Sequence, residues 1–505
     1  MIELRQKESS MAFIGIDLGS TNIKGALFNG ETLTRLALCS RPVLYTRREK
    51  LVEFDADAVV NTVLEILREL GRSAENAGVS VRQIALTGQA ESLVLLGKNG
   101  RPLRHAISWM DERSAAECRE LAGRFTREDC YAVTGQKAII PTWPATKILH
   151  LSHSEPDVIA KTAAYIMLKD YAAYCLCGVM AADKSIATFS LYFDIRRGCY
   201  WQDMLDACGI RGDQLPPLVE PCTTLGPLDA RLDPGGVFRG ASVNTGTLDH
   251  FAGMIGNGNI SPGIVSESTG TVLAMATMAK MPLSGRETAA LHYGPFPGTM
   301  VFLPVAESGG LCLEWFKNHF LPDLSFRELD DRVKERKPKN LIFLPYLAGV
   351  NAPEFDPDAC GVFFGLRTET DAIDMARSVM EGVAFLLDKN LAEMKRCGLK
   401  FSHVISSGGA AKSDVWCQIK ADICGLEIRI PAEQEAACFG AAIIAAVNCG
   451  VFPDYKMAVN ACVRIAKTFS PNPQNTAEYL SKKAGFNALY AGMLETIHTM
   501  REQRV

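Results

Sequence analysis

Twice the chain sets down an apolar strand, a turn of small hydroxyl and glycine residues, and a return strand. Residues 13–17 form a short apolar run that ends in Asp17. Gly19, Ser20, Thr21 and Asn22 follow as a turn, and residues 23–28 read as the returning strand. Residues 264–273 repeat that character, with Ser266, Glu267, Ser268, Thr269 and Gly270 between apolar flanks. A hairpin opening each half implies a duplicated α/β unit. Length agrees, because 505 residues exceed the roughly 250–300 at which a single core stops growing. The junction inferred from the repeat lies near 255–262, where Asn257, Gly258, Asn259, Ser261, Pro262 and Gly263 supply turn chemistry.

The spacing elsewhere fits that plan. Val59, Val60, Val63, Ile66 and Leu67 predict one apolar helix face over 56–71. A strand over 84–86 ends at Thr87, Gly88 and Gln89, and residues 93–96 read as continuing its sheet. The stretch 112–225 reads as mostly helical and irregular. A long amphipathic helix is expected over 371–398, with Asp371 as its N-cap and Gly398 as its end. A strand over 403–406 runs into Gly408 and Gly409, and helices follow near 413–424 and 435–448. The apolar run 436–447 is about a dozen residues, below the ~20 that a membrane span needs, so it reads as a buried helix. Residues 1–10 are polar and charged and are expected to lie outside the fold.

Bulk composition narrows the function classes. Hydrophobic residues at 48% and charged residues at 22% are ordinary for a globular protein. A net charge of -4 offers no footprint for nucleic acid or an anionic membrane. The 16 cysteines are scattered, form no CxxC pair and follow no secretory signal, which implies a reducing, cytoplasmic setting.

Five constellations carry chemistry, each with a plainer reading beside it. Asp17, Gly19, Ser20, Thr21 and Lys24 would let backbone N–H groups and hydroxyls approach phosphate oxygens, with Asp17 placed to hold Mg²⁺; the plainer reading is a simple hairpin. The second run, 266–271, is either a polar turn or a second phosphate loop. Asp249, after Gly246, Thr247 and Leu248, is either a helix N-cap or the base that takes a hydroxyl proton during phosphoryl transfer. Ser406 to Ser413 sets a Gly-Gly turn between strand and helix, either a cap or a place for a flat base to lie on bare backbone. Gln89, Glu91, Trp109, Asp111 and Arg113 offer carboxylates and an aromatic wall for a polyol; a salt bridge beside a core tryptophan is the plainer reading. No GxxxxGK[ST], HExxH or Gly-x-Ser-x-Gly occurs, and His150 with His153 lacks further metal ligands.

Taken in order, these segments resemble the FGGY carbohydrate kinases over about residues 12 to 450. The resemblance is carried by 14–24 (IGIDLGSTNIK), 107–113 (ISWMDER), 344–366 (LPYLAGVNAPEFDPDACGVFFGL), 378–384 (SVMEGVA) and 406–422 (SSGGAAKSDVWCQIKAD). It implies two RNase H-like domains of the actin-like ATPase type. These would be 11–257, binding sugar, and 258–500, binding nucleotide, with ATP in the interdomain cleft. It further implies Asp249 as catalytic base and Asp17 as the Mg²⁺-associated aspartate. Gly19, Ser20, Thr21 and Lys24 fall at the first phosphate loop, Thr269 and Gly270 at the second, and Gly409 and Ala410 at the adenosine motif. Gln89, Glu91, Trp109 and Asp111, with Asp249, fall where the family reads its substrate. A homodimer is raised by the resemblance alone.

The chain departs from the family pattern at several points. Ala90-Glu91 stands where xylulokinases usually show Met-His, closer to the Arg-Glu of glycerol kinases. His250 follows the base in place of Asn or Gln. Ser268-Thr269-Gly270 replaces the usual Gly-Thr-Ser, and His150 stands where many members have Trp. The expected activity is ATP-dependent phosphorylation of an open-chain sugar, a pentulose such as xylulose first. Its rivals are a glycerol or tetritol kinase, a catalytically silent nucleotide-binding protein of the same fold, and an actin-like or chaperone ATPase.

Overall fold

The computed structural model describes residues 10–280 and 290–502; the expected polar leader, apart from Ser10, lies outside them. The chain divides into two units. The first holds the described residues up to Ile260, together with Leu291–Met300 and Glu435–Val463. The second holds Ser261–Ala290, Val301–Gln434 and Arg464–Val505, within the described residues.

Unit one is built on a six-stranded sheet. Its strands are β1 (Ser10–Leu18), β2 (Asn22–Asn29), β3 (Arg35–Pro42), β4 (Val79–Gly88), β5 (Thr224–Pro227) and β6 (Ser242–Leu248), in the order β3-β2-β1-β4-β6-β5. β1 pairs antiparallel with β2, closing the expected hairpin, and parallel with β4; β4 pairs parallel with β6. Parallel neighbours need long crossovers. The first of these carries α1 (Ala56–Ala77), which Asp55 caps through the Ala58 N–H and Gly78 ends at φ 65°. Its stripe of Val59, Val63, Ile66 and Leu67 packs with Ile14, Ile16, Ile84 and Leu86 from one face of the sheet. α2 (Asp249–Gly256) leaves the end of β6. Leu93–Leu96 does not continue this sheet as expected. It lies in a separate five-stranded sheet, paired with Ala164–Met167, because the chain turns sharply between Gly88 and Leu93, with Glu91 at φ 63°.

Unit two repeats the pattern. β7 (Ile264–Thr269) pairs antiparallel with β8 (Leu273–Lys280) and parallel with β9 (His403–Ser407). β9 continues parallel to β10 (Glu427–Pro431), and β11 (Ile465–Phe469) closes that edge antiparallel. Thus a hairpin, two further parallel strands and an antiparallel edge strand follow the same plan in both units. Helices α3 (Gly310–Phe320), α4 (Ala372–Arg396) and α5 (Asp414–Cys424) contribute to the core of this unit. α4 is N-capped by Asp371, as its sequence predicts, and Asp374 completes a capping box there.

The run 436–447 forms α6 (Ala436–Asn448), a buried helix that belongs to unit one although the sequence reading placed it in the C-terminal domain. The reason is close backbone packing. A Cβ at Gly15 of β1 would overlap the Cys438 carbonyl, one at Gly256 the Ala436 carbonyl, and one at Gly440 the Ala252 carbonyl. These glycines let α6 sit directly on β1 and α2, covering Phe13, Phe28 and Ala85 on the second face of the sheet. Gly440→Ala is therefore expected to lower the urea midpoint by about 1–3 kcal/mol of stability, the usual range for overpacking. A midpoint equal to wild type would show that α2 and α6 separate freely.

Candidate active site

Three parallel strands of unit one end level with one another. Asp17 of β1 stands opposite Thr87 of β4, and Thr87 opposite Thr247 of β6. Carboxyl ends of parallel strands are where open α/β sheets bind ligands. Here they deliver Asp17 and, one residue beyond β6, Asp249. Asp249 is not the N-cap, which is Leu248. It is the first residue of α2, and its Oδ1 accepts from the His250 N–H at 2.6 Å.

The Asp17 Oδ1 atom is buried and has no hydrogen-bond partner. Burial, then the neighbouring charge of Asp249, pushes the Asp17 carboxyl up to about 8; Lys24 works against them and Glu435 adds to the rise. Lys24, opposite Asp17 across the hairpin, donates to Glu435 Oε2 at 2.7 Å. Burial opposes its charge, but Glu435 outweighs burial and holds the ammonium above its usual range. Gly19 is required by the tightness of the turn, since a Cβ there would press on the Asn22 carbonyl. Ser20 is half-buried and Thr21 exposed, leaving the turn open to a ligand.

The expected sugar-reading residues are drawn together by two side chains the sequence reading did not single out. Ser92 Oγ donates to Gln89 Oε1 at 2.9 Å and accepts from the Trp109 N–H at 3.1 Å. Lys147, fully buried, donates to the carbonyls of Glu91 at 3.0 Å and Ser108 at 2.8 Å. Gln89 in turn donates to the Gly19 carbonyl at 3.3 Å, tying this group to the first turn. Burial pushes the Glu91 carboxyl up against the pull of Lys147, and pushes the Lys147 ammonium down against the pull of Glu91. Trp109 is 39% exposed, an open aromatic face. Asp111 differs from expectation. It is fully buried, and its oxygens accept from the Val52 N–H at 2.6 Å and from the Arg113 guanidinium at 2.7 and 2.8 Å. It anchors the strand at Val52 rather than standing open as an acceptor. His150 and His153 both face Glu117, and His153 also lies 4.0 Å from Glu120.

In unit two the strand ends β7 and β9 are also level, Ser268 opposite Ser407. Gly310 N–H donates to the Gly270 carbonyl at 2.6 Å and Gly309 N–H to the Thr271 carbonyl at 2.9 Å. Gly408, at φ 80°, lies where a Cβ would crowd the Thr269 carbonyl. The Thr269 carbonyl thus lies beside Gly408 and Gly409; Gly409 is exposed and Gly270 half-buried, while Thr269 and Ala410 are buried. The Thr269 hydroxyl points inward: it donates to Glu267 Oε2 at 2.6 Å and accepts from Lys420 at 2.9 Å. Lys420 also donates to Glu267 Oε1 at 2.6 Å, which Ser406 bonds as well.

Residues 12–256 match the N-terminal domain, and residues 310–449 the C-terminal domain, of the FGGY family of carbohydrate kinases. The chain belongs to that family. It is accordingly a sugar kinase, a phosphotransferase with an alcohol acceptor, and kinases of this family use ATP. The xylulose kinase of Staphylococcus epidermidis is 29% identical over 482 residues, covering 94% of this chain and 96% of that one. The xylulose kinase structure from Rhodospirillum rubrum superposes with a TM-score of 0.90 at 25% identity, covering 96% of this chain and 100% of that one. The gluconate kinase structure from Lactobacillus acidophilus, at 24% identity, shares the fold with a TM-score of 0.90, over 97% and 100% of the two chains.

Glu435 at the candidate site carried no usable sequence signal, since it lies 411 positions from Lys24. Lys147 and Lys169 do announce themselves weakly, as cations on apolar helical segments.

The raised Asp17 value has a consequence for stability. An acid that holds its proton more tightly when folded contributes stability at low pH, which is lost as pH rises through the folded pKa. Asn at this position stays neutral throughout. Without divalent ions, Asp17→Asn is expected to gain in Tm over wild type as pH rises from about 4 to about 8, the window the cited shift defines. A constant Tm difference across that range would mean the carboxyl titrates normally.

Proposed function

We propose that this kinase transfers the γ-phosphoryl group of ATP to a hydroxyl of an open-chain sugar, a pentulose such as xylulose, with Asp249 as the base. The observation that carries this reading is the meeting of two carboxylates at the carboxyl edge of one sheet, Asp17 and Asp249, close enough for the charge of one to raise the pKa of the other. Asp249 leads a helix and is half-buried, so a sugar hydroxyl can reach it. It accepts the hydroxyl proton as the oxygen attacks the γ-phosphorus, and the bond to the bridging β-phosphate oxygen breaks to leave ADP.

Asp17 fits a Mg²⁺ role. A buried carboxylate oxygen without a protein partner, beside a second acid, is a donor suited to a hard cation. Bound there, directly or through water, Mg²⁺ would neutralise phosphate charge. The turn at Gly19, Ser20 and Thr21, with Lys24, is assigned to phosphate, as is the backbone of Thr269 and Gly270; Gly409 and Ala410 are assigned to the adenosine. Gln89, Glu91 and Trp109 are assigned to the sugar, with Glu91 accepting from hydroxyls and Trp109 covering C–H faces.

The pentulose choice is supported by the xylulose kinases to which the chain is similar over nearly its whole length. One observation favours a polyol such as glycerol or a tetritol instead: Glu91 occupies the turn where xylulokinases carry Met-His, held in place through its carbonyl by Lys147. An ADP-release screen over ketoses, aldoses and polyols separates the two, with xylulose expected to give the highest kcat/KM. A higher value for glycerol or a tetritol would overturn the pentulose reading. Asp249→Asn is expected to cut turnover roughly 10²–10⁴-fold, the range for losing a general base, while ATP binding by calorimetry stays intact. Retained turnover in that variant would remove Asp249 from the chemistry.

A further inference from the structure

Immediately behind Asp249 the fold buries a cluster of charges that the reaction itself does not touch. β6 reaches Asp249 through a bulge. Its pairing with β4 slips between Asn244 and Thr247, so that Thr245 and Gly246 together oppose Leu86. Gly246 adopts φ 62° there, and any Cβ would collide with the Leu86 carbonyl. Bulges re-aim the residues that follow them and leave one residue out of the ladder. Here neither Thr245 nor Gly246 has a partner on β4; the Thr245 N–H turns to the Thr223 carbonyl at 2.8 Å, and Lys169 takes up the Thr245 oxygens. The Lys169 Nζ donates to the Thr245 carbonyl at 2.8 Å and to Thr245 Oγ1 at 3.0 Å. Lys169 also pairs with Asp170 at 2.7 Å and Asp183 at 3.3 Å.

Asp183 passes the constraint to the end of the strand. It accepts from the Ser185 N–H at 2.7 Å and the Ser185 hydroxyl at 2.9 Å. The Ser185 oxygen then accepts from Thr247 Oγ1 at 2.8 Å and from the Leu248 N–H at 3.1 Å. That fills the hydroxyl completely, one bond given and two received. Leu248 is the N-cap of α2, the residue before Asp249. Thr87 closes the other side by donating to the Thr247 carbonyl at 2.8 Å. Lys169, Asp183, Ser185 and Thr247 are all fully buried.

Burying ions is unfavourable unless the geometry is closely matched, and apolar replacements of equal volume are often as stable. A stability role alone is therefore a weak account of a cluster in this place. We propose that Lys169, Asp183 and Ser185 are positioning residues: they clamp the bulge and the last residue of β6, and so fix where Asp249 stands relative to the sugar hydroxyl. The proposal rests on Asp249 being the base, and it predicts a loss in the chemical step rather than in binding.

Ser185→Ala and Thr247→Val remove single hydroxyls from the clamp without leaving a charge unpaired. With xylulose and ATP, each variant of the full chain is expected to lose roughly 10- to 100-fold in kcat, the scale of a sub-ångström to ångström misplacement. KM for both substrates should stay within about twofold, and ATP-binding stoichiometry should remain complete. Combining Ser185→Ala with Asp249→Asn should slow the reaction no further than Asp249→Asn alone, because the clamp acts through that carboxylate. Wild-type kcat in both hydroxyl variants, beside a dead Asp249→Asn, would overturn the clamp and leave the base assignment standing. Activity in Asp249→Asn would overturn the base assignment instead. A rate that falls only in proportion to lost ATP-binding sites, with a lowered Tm, would reduce the cluster to a structural element and sink the proposal.

Discussion

The ladder that joins β1, β4 and β6 sets everything that happens at the first unit's strand ends. Parallel strands lie about 4.8 Å apart, so residues level across two ladders are about 10 Å apart at their Cα atoms. Asp17, Thr87 and Thr247 are level in this sense. A one-residue slip in either ladder would turn each side chain to the opposite face, and the two carboxylates would no longer meet. The slip is prevented from both sides: Ile14 and Ile16 are committed to the α1 face, while Phe13 and the bare backbone of Gly15 are committed to α6. Packing on both faces of the sheet thus fixes the register, and register fixes the site.

Each unit also places a buried lysine behind a strand end that carries candidate chemistry. In the first, Lys169 joins Asp170 and Asp183 and bonds the bulged Thr245. In the second, Lys420 joins Glu267 and bonds Thr269. Both ammonium groups are fully buried and meet carboxylate and hydroxyl oxygens with several bonds at once. Removing either lysine would leave an uncompensated buried acid, so these sites tolerate little change. In both units the ammonium supplies a donor to a buried threonine oxygen on the strand that leads to the candidate chemistry, where an unmatched carbonyl or hydroxyl would be costly.

What could be read from the sequence was local. Both hairpins, the α4 N-cap and the buried character of α6 follow from spacing within a few residues; the structure has each of them, with the first strand of the second hairpin running on through residues 266–269. Properties set by distant partners were out of reach. Glu435 meets Lys24, and α6 packs on β1, through contacts across more than four hundred positions. For Asp111 the sequence left open a polyol acceptor or a salt bridge; it is the salt bridge, to Arg113 two residues on, and only the Val52 N–H that it also accepts from was out of sight. Leu93–Leu96 has ordinary strand composition, and only the left-handed turn at Glu91 sends it to another sheet. A glutamate gives little warning of φ 63°, a conformation that glycine or asparagine would have advertised.

The same division explains where this chain keeps to the family pattern and where it leaves it. Asp17 and Asp249 stand at or one residue past strand ends, fixed by ladders and, for Asp249, by buried side chains behind it. Three of the departures, Ala90, Glu91 and His250, stand on a turn and on the exposed start of a helix; the other two, residues 268–270 and His150, stand at the end of β7 and on a helix and fall outside that division. Turn residues change without disturbing a ladder, whereas a strand-end residue moves with its whole sheet. Lys147 is the exception that links the two. It is buried like a core residue, yet it bonds the carbonyl of Glu91, on a turn that departs from the family pattern, together with that of Ser108. A fixed cation under a variable turn lets the side chain at 91 be exchanged while the backbone that presents it stays put.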